Sequence, residues 1–209
     1  MSDTQFCWYI TVHAIQAAAT LGVVLLALFG TQLRAWLWPP NLYATLADPE
    51  GEPTGYKGKD ADGKEVGEIT HYFHLRVANS RKWSPATDVS LHLVAIEEPG
   101  PDDKLETRWV GNVEFPWRHR KHYPEAQRRI GKSIDYDLCT LSQSGVRLYP
   151  IAAPNSFKSR WEHKCRFVAC FEIHSTEIDV ASIRIQIAWD GIWDEKNVKG
   201  HFRVEFKTE

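Results

Sequence analysis

Cysteine is scarce in this chain of 209 residues: Cys7, Cys139, Cys165 and Cys170 are too few and too irregularly spaced for a disulfide scaffold or a zinc module. An excess of charge is missing as well. Twenty-five Lys plus Arg face 27 Asp plus Glu, so the formal charge is −2 and a polybasic nucleic-acid binder is ruled out. There is no G-x-S-x-G elbow, no phosphate-cradling glycine loop and no dinucleotide fingerprint, and no repeat of 20–50 residues that would signal a propeller or solenoid. With 43% hydrophobic and 25% charged residues, the composition is that of a globular chain, not of a disordered one or a multi-span transporter.

Charge is rarest at the front. The first 38 residues carry only Asp3 and Arg34, with 30 uncharged residues between them. A helix rises about 1.5 Å per residue, so roughly 20 residues cross a hydrocarbon core of about 30 Å, and residues 10–29 supply that length. Trp8 and Tyr9 precede the stretch and Trp36 and Trp38 follow it, where amphipathic rings suit the two headgroup levels; Pro39 and Pro40 then end the helix. A cleaved signal peptide would need a basic start, a shorter apolar run and a small-residue cleavage site, none of which is convincing. The expectation is a transmembrane anchor over residues 1–38, with the lipid bilayer as partner of residues 10–29.

Arg34, Lys57 and Lys59 follow the span and no Lys or Arg precedes it, so the bias in positive charge favours a C-terminal domain on the cytoplasmic side. Free thiols at Cys139, Cys165 and Cys170 agree with a reducing compartment. Cys165 and Cys170 are five apart on one expected strand and face opposite ways; Cys139 remains able to pair with either. Ala14, Ala18 and Gly22 recur every four residues and give one helix face small enough for a homodimer through the span, although such residues are common in spans generally. His13 and Gln16 read as polar groups tolerated near the end of the span.

From residue 39 to 67 the sequence turns acidic and rich in Gly and Pro, which reads as a linker and an exposed hairpin turning at Asp62 and Gly63. Asp60, Asp62 and Gly63 match only part of a calcium loop, whose other oxygen ligands are missing. Beyond residue 68 strict alternation takes over. Phe73, Leu75 and Val77 oppose Tyr72, His74 and Arg76; Val89, Leu91 and Leu93 oppose Asp88, Ser90 and His92. The pattern returns in Cys165, Phe167, Ala169, Phe171 and Ile173, in Ile183, Ile185, Ile187 and Trp189, and in Phe202, Val204 and Phe206, with weaker strands near residues 108–113, 133–141 and 146–148. Seven or eight short strands with no helix-period segment between them predict a mainly β domain over residues 68–209, an antiparallel β-sandwich, with a closed β-barrel as the alternative.

The stretch Leu75-Arg76-Val77-Ala78-Asn79, followed by Pro85-Ala86-Thr87-Asp88-Val89-Ser90-Leu91, resembles the early strands of bacterial immunoglobulin-like domains, where an Asn closes one strand and a short turn opens the next. The layout of one N-terminal span and one β-rich domain ending in Ile187-Ala188-Trp189-Asp190-Gly191-Ile192-Trp193 is similar to uncharacterised bacterial membrane-anchored proteins. The resemblance implies an immunoglobulin-like architecture at a bacterial inner (cytoplasmic) membrane, and no chemistry.

One local anomaly stands out. Arg118, Arg120, Lys121, Arg128, Arg129 and Lys132, with His119 and His122, form a basic stretch in which Glu125 is the sole carboxylate, and Trp117 and Tyr123 are interleaved. Guanidinium groups beside aromatic faces suit an anionic ligand, an anionic headgroup or a protein partner, against the plainer expectation of a solvated loop balancing the acidic stretch; nucleic acid is not favoured. Nine His invite a search for metal ligands. His71 and His74 are three apart on a strand and project to opposite faces, while His119 and His122 lie among cations that repel a dication, so neither metal nor cofactor is expected. For catalysis, Cys165 near His163 falls on an apolar strand face, where a thiol is an inert small hydrophobe, and no enzymatic activity is expected. Among the nine Trp, Trp189 continues an inward register and Trp193 follows a turn; core packing is the leading reading for each. The sequence therefore points to a membrane-anchored binding or scaffolding module, with a membrane-disturbing effector whose β-domain senses an anionic ligand as the alternative.

Overall fold

In the computed structural model, residues 3–59, 65–118, 129–130, 133–178 and 180–207 are described, and the chain divides into two compact units, Met1–Pro39 and Pro40–Glu209. The first unit is one helix, α1 (Asp3–Leu37). Its stretch Thr11–Gly30 is long and apolar enough to cross a membrane by length and composition, and none of it is buried. A helix apolar all round has no polar face to give to water.

Among its described residues the second unit has thirteen strands and one helical turn. In chain order these are β1 (Leu42–Leu46), β2 (Glu52–Lys59), β3 (Glu65–Asn79), β4 (Ala86–Thr87), β5 (Ser90–Pro99), β6 (Leu105–Phe115), β7 (Arg129–Ile130), β8 (Ser133–Ser142), β9 (Gly145–Leu148), β10 (Arg160–Trp161), β11 (Cys165–His174), β12 (Ala181–Trp189), α2 (Val198–His201) and β13 (Phe202–Phe206). They form two antiparallel sheets. Sheet 1 runs β1-β3-β8-β9-β10, with β2 also paired to β3; sheet 2 runs β13-β12-β11-β5-β6; β4 and β7 make a short separate ladder. The described strands do not close into a barrel, and the arrangement is sandwich-like.

Alternation builds the core. Phe73, Leu75 and Val77 of β3, with Leu138 and Leu141 of β8, face Leu91 and Leu93 of β5, Phe167 and Phe171 of β11, and Ile185 and Ile187 of β12, all buried in one cluster. Aromatic rings bridge the two sheets: Phe73 meets Phe202 at 4.7 Å between centroids and Trp161 stacks on Phe167 at 4.0 Å. Offset pairs of this kind add about 0.5–1.5 kcal/mol each beyond the area they bury.

In the stretch expected as linker and exposed hairpin, Leu42–Leu46 and Glu52–Lys59 are strands of sheet 1; β1 pairs one half of β3, from Leu42 with Asn79 to Leu46 with Leu75, and β2 pairs antiparallel with the other half, from Glu52 with Tyr72 to Lys59 with Glu65. Acidic residues and Gly are tolerated there because both strands lie along a sheet edge. The expected turn at Asp62 and Gly63, and with it Asp60, lies outside the described residues.

Candidate functional site

On β3 the residues Tyr72, His74 and Arg76 turn away from the core, and register sets β8 beside them, with His74 opposite Asp137 and Arg76 opposite Asp135. On the far side of β8 the chain after β6 runs alongside it: Asp137 N–H donates to the Pro116 carbonyl at 2.9 Å and Arg118 N–H to the Asp135 carbonyl at 2.7 Å. On the other flank β2 sets Glu52 opposite Tyr72. A charged row therefore crosses the outer face of sheet 1.

Its centre is His74, only 5% exposed. Nδ1 lies 3.0 Å from Asp137 Oδ1, within ion-pair distance though without the alignment of a hydrogen bond, and Nε2 lies 3.8 Å from Glu52 Oε2. The Arg118 guanidinium reaches the same Glu52 carboxylate. Beside them Arg76 clamps Asp135 with both carboxylate oxygens engaged, Nε to Oδ1 at 2.7 Å and Nη2 to Oδ2 at 2.9 Å. Those hydrogen bonds, helped by the charges of Arg76, His74 and Arg118, hold the Asp135 carboxyl below its ordinary range despite partial burial.

Aromatic rings continue the face. Tyr72 stacks on His74 at 6.4 Å and meets Tyr149 at 6.3 Å, and the Arg147 guanidinium carbon stands 5.0 Å over the Tyr149 ring. Desolvation first, then the neighbouring Tyr149 and Asp137, push the Tyr72 phenol above its usual pKa, so it stays neutral and able to donate. Both nitrogens of His74 face carboxylates. The ring thus sits where β2, β3 and β8 meet, between a carboxylate from each neighbouring strand.

The basic stretch is only partly in view. Arg118 is bound to Glu52, and Trp117 packs against the core while its backbone bridges Tyr136. Arg129 is placed by its backbone in β7, opposite Thr87. Arg120, Lys121 and Arg128, together with His119, His122, Tyr123, Glu125 and Lys132, lie outside the described residues.

Ala14, Ala18 and Gly22 fall within α1 at four-residue spacing, and a Cβ added at Gly22 would meet nothing within 4 Å. His71 and His74 diverge: the His71 ring packs edge-on against Trp193 at 5.9 Å, so Trp193 is a packing residue. Cys139, Cys165 and Cys170 are free thiols. Burial raises the pKa of Cys139 strongly and that of Cys165 to about 11, which keeps both protonated at neutral pH. On the outer face of sheet 2, His92 and His174 meet edge to face at 4.8 Å, with His92 held by Asn112 and Ser90 and His174 by Glu172. Among the described residues no three metal-ligating side chains gather.

The sequence reading missed Glu52, Tyr72, Tyr149, Arg147, Asp135 and Asp137 as members of one face. Two-residue spacing was the available signal, since 72, 74 and 76 share one parity and 135 and 137 another. No protein-family model, curated protein or solved structure matches the chain.

Proposed function

We propose that this chain is a single-pass membrane protein of the bacterial cytoplasmic membrane whose C-terminal sandwich faces the cytoplasm and holds a protein partner there. The observation that carries the reading is an unburied twenty-residue helical stretch, apolar enough on average to cross a membrane, attached to a domain that closes its own core. The strand orders β1-β3-β8 and β12-β11-β5-β6 support an immunoglobulin-like plan, A-B-E against G-F-C-C′. Against that plan, β9 and β10 follow β8, where the immunoglobulin order has a strand D before E. The partner surface that fits best is the outer face around Tyr72, Tyr149 and Arg147, because Tyr and Arg supply large contact area and directional donors at protein interfaces.

The test is direct. The full chain stays with membranes through alkaline carbonate extraction and keeps residues 1–39 by intact mass, while replacing Leu25 and Leu26 by Arg releases it, each Arg costing about 2.5–3.5 kcal/mol at the centre of a span. A mature chain trimmed after Trp38 and free in solution overturns the anchor. C-terminal reporter fusions active only in the cytoplasm support the orientation. A photo-crosslinker at Tyr149 that yields one adduct of defined mass in native membranes, absent with the crosslinker at Gln186 on sheet 2, supports the binding face; equal labelling at both overturns it. The effector alternative has less support, because the one guanidinium of the basic stretch whose side chain is described is already bound to Glu52.

A further inference from the structure

We propose that β13 is a dimer interface, at which the free edge of sheet 2 pairs antiparallel with β13 of a second copy of this chain and joins two five-stranded sheets into one. The inference is independent of the anchor reading. β13 ends the order β13-β12-β11-β5-β6 and reads Phe202-Arg203-Val204-Glu205-Phe206, a sequence self-complementary about its middle residue. With Val204 opposite the partner's Val204, Arg203 lies opposite the partner's Glu205, Glu205 opposite the partner's Arg203, and Phe202 opposite the partner's Phe206. Opposite charges and paired aromatic rings are the cross-strand neighbours that stabilise an antiparallel ladder.

The backbone fits the same register. Lys207 N–H donates to the Arg184 carbonyl at 2.9 Å and Asp190 N–H to the His201 carbonyl at 3.1 Å, so residues 201, 203, 205 and 207 turn their backbone groups towards β12. Val204 and Phe206 turn theirs outward, as does the Phe202 carbonyl, while the Phe202 N–H is taken by the Val198 carbonyl. Nothing among the described residues bonds to those outward groups. With the two-fold axis at Val204, each Val204 N–H meets the partner's Val204 carbonyl and each Phe206 N–H meets the partner's Phe202 carbonyl. Arg203 and Glu205 then fall in the pairs without backbone hydrogen bonds, where facing side chains come closest. Moving the axis by one residue sets Arg203 against the partner's Arg203, or Glu205 against the partner's Glu205, and like charges directly opposite are destabilising.

Exposure agrees. Arg203 and Glu205 are exposed, with no ion-pair partner among the described residues, and Phe206 is 39% exposed although it shares the face that buries Phe202. The other edge of sheet 2 shows how a strand is guarded against pairing. β6 bulges at Arg108, which has no counterpart on β5, and Arg108 binds Glu106 of its own strand at 3.0 Å. β13 keeps an unbroken register with β12 and leaves both its charges unspent.

The experiment measures the oligomeric state of the full chain in detergent by native mass spectrometry, with Gly22 intact and with Gly22→Ile, which closes the small-residue face of α1. A dimer is expected in both. Arg203→Glu or Glu205→Arg alone weakens it about tenfold, because two-fold symmetry makes each substitution act at two pairs. Exchanging both residues restores it, and the two single variants mixed together form a heterodimer. A second readout needs no change at β13: as protein concentration rises, amide exchange slows at Val204 and Phe206 and stays constant at Arg203 and Glu205, whose amides already face β12. A chain that stays monomeric up to about 100 μM overturns the interface. A dimer lost with Gly22→Ile belongs to the span and overturns it as well. A dimer indifferent to both single substitutions, or slowed exchange elsewhere than at Val204 and Phe206, overturns the assignment to β13.

Discussion

The backbone N–H of Asn41 donates to the side-chain oxygen of Asn79 at 3.2 Å, so a residue 38 positions downstream receives the chain just before it enters the first strand. The return bonds make the join reciprocal: Ser80 N–H donates to the Asn41 carbonyl at 3.0 Å and Asn41 Nδ2 to Ser80 Oγ at 2.9 Å. Asn79 is 3% exposed and uses both ends of its amide, which no apolar or purely accepting side chain can do. Asn79→Ala therefore strands one buried carbonyl and two backbone N–H groups in a partly buried corner. The expected cost is about 2–3 kcal/mol. For a domain of this size that lowers Tm by roughly 5–10 °C, read by thermal unfolding of the full chain in detergent.

Gly145 closes the β8–β9 hairpin at a φ of +114°, and a Cβ there would lie 2.1 Å from the Trp161 carbonyl oxygen of β10. Backbone cannot yield as the tip of a flexible side chain does. Gly145→Ala combines a disfavoured conformation with a clash, for an expected loss of about 3 kcal/mol or more. Because β10 pairs, among the described strands, with β9 alone and carries Trp161, the loss of β10 should be visible as a change in near-ultraviolet circular dichroism, as Trp161 leaves its stack on Phe167.

The strongly alternating strands β3, β5, β11, β12 and β13 were legible because a half-buried strand writes its two faces into sequence as period two. Bulges were not. At Val94 an extra residue shifts the pairing of β5, so Ile96, not Ala95, is the next side chain in the core after Leu93; at Leu138 the same device lets Cys139 face inward along with Leu138. β1 was hidden because its strand character comes from β3, not from its own composition. The charge of Arg118 was plain, but its partner Glu52 is 66 positions away, in a stretch that reads as linker, and register alone brings them together. That Tyr72 shares an outer face with Arg147 and Tyr149 is not written in local pattern either, since Tyr72 comes from β3 and the other two from β9 and the residue just past it.

His71 is 7% exposed on the inner parity of β3, and neither of its ring nitrogens has a hydrogen-bond partner; the ring instead packs on Trp193. A buried polar ring without partners forfeits the hydrogen bonds it makes to water in the unfolded chain. Replacing it by an apolar side chain of similar volume removes that loss while keeping the contact. His71→Leu is expected to stabilise the domain by about 1–2 kcal/mol, seen as a higher midpoint in urea with unchanged m-value. An unchanged or lower midpoint would show that the imidazole is satisfied by bound water.

Arg76 and Asp135 give the fold an acid-sensitive tie. The carboxyl is held below its unfolded value by the hydrogen bonds from Arg76, so the native state binds its proton more weakly than the unfolded chain does. The sign follows: the pair contributes fully above the unfolded carboxylate value of about 3.9 and loses that contribution as pH falls through the lower native value. Arg76 is well exposed, so solvent screens the pair and the contribution at neutral pH is expected to be about 1 kcal/mol or less, in spite of the two-point geometry. Asp135→Asn keeps the volume and removes the charge. Wild type and variant should therefore differ most in unfolding midpoint near neutral pH and converge below about pH 4; parallel curves over the whole range would assign the stabilisation to packing of the Arg76 stem over the sheet and not to its charge.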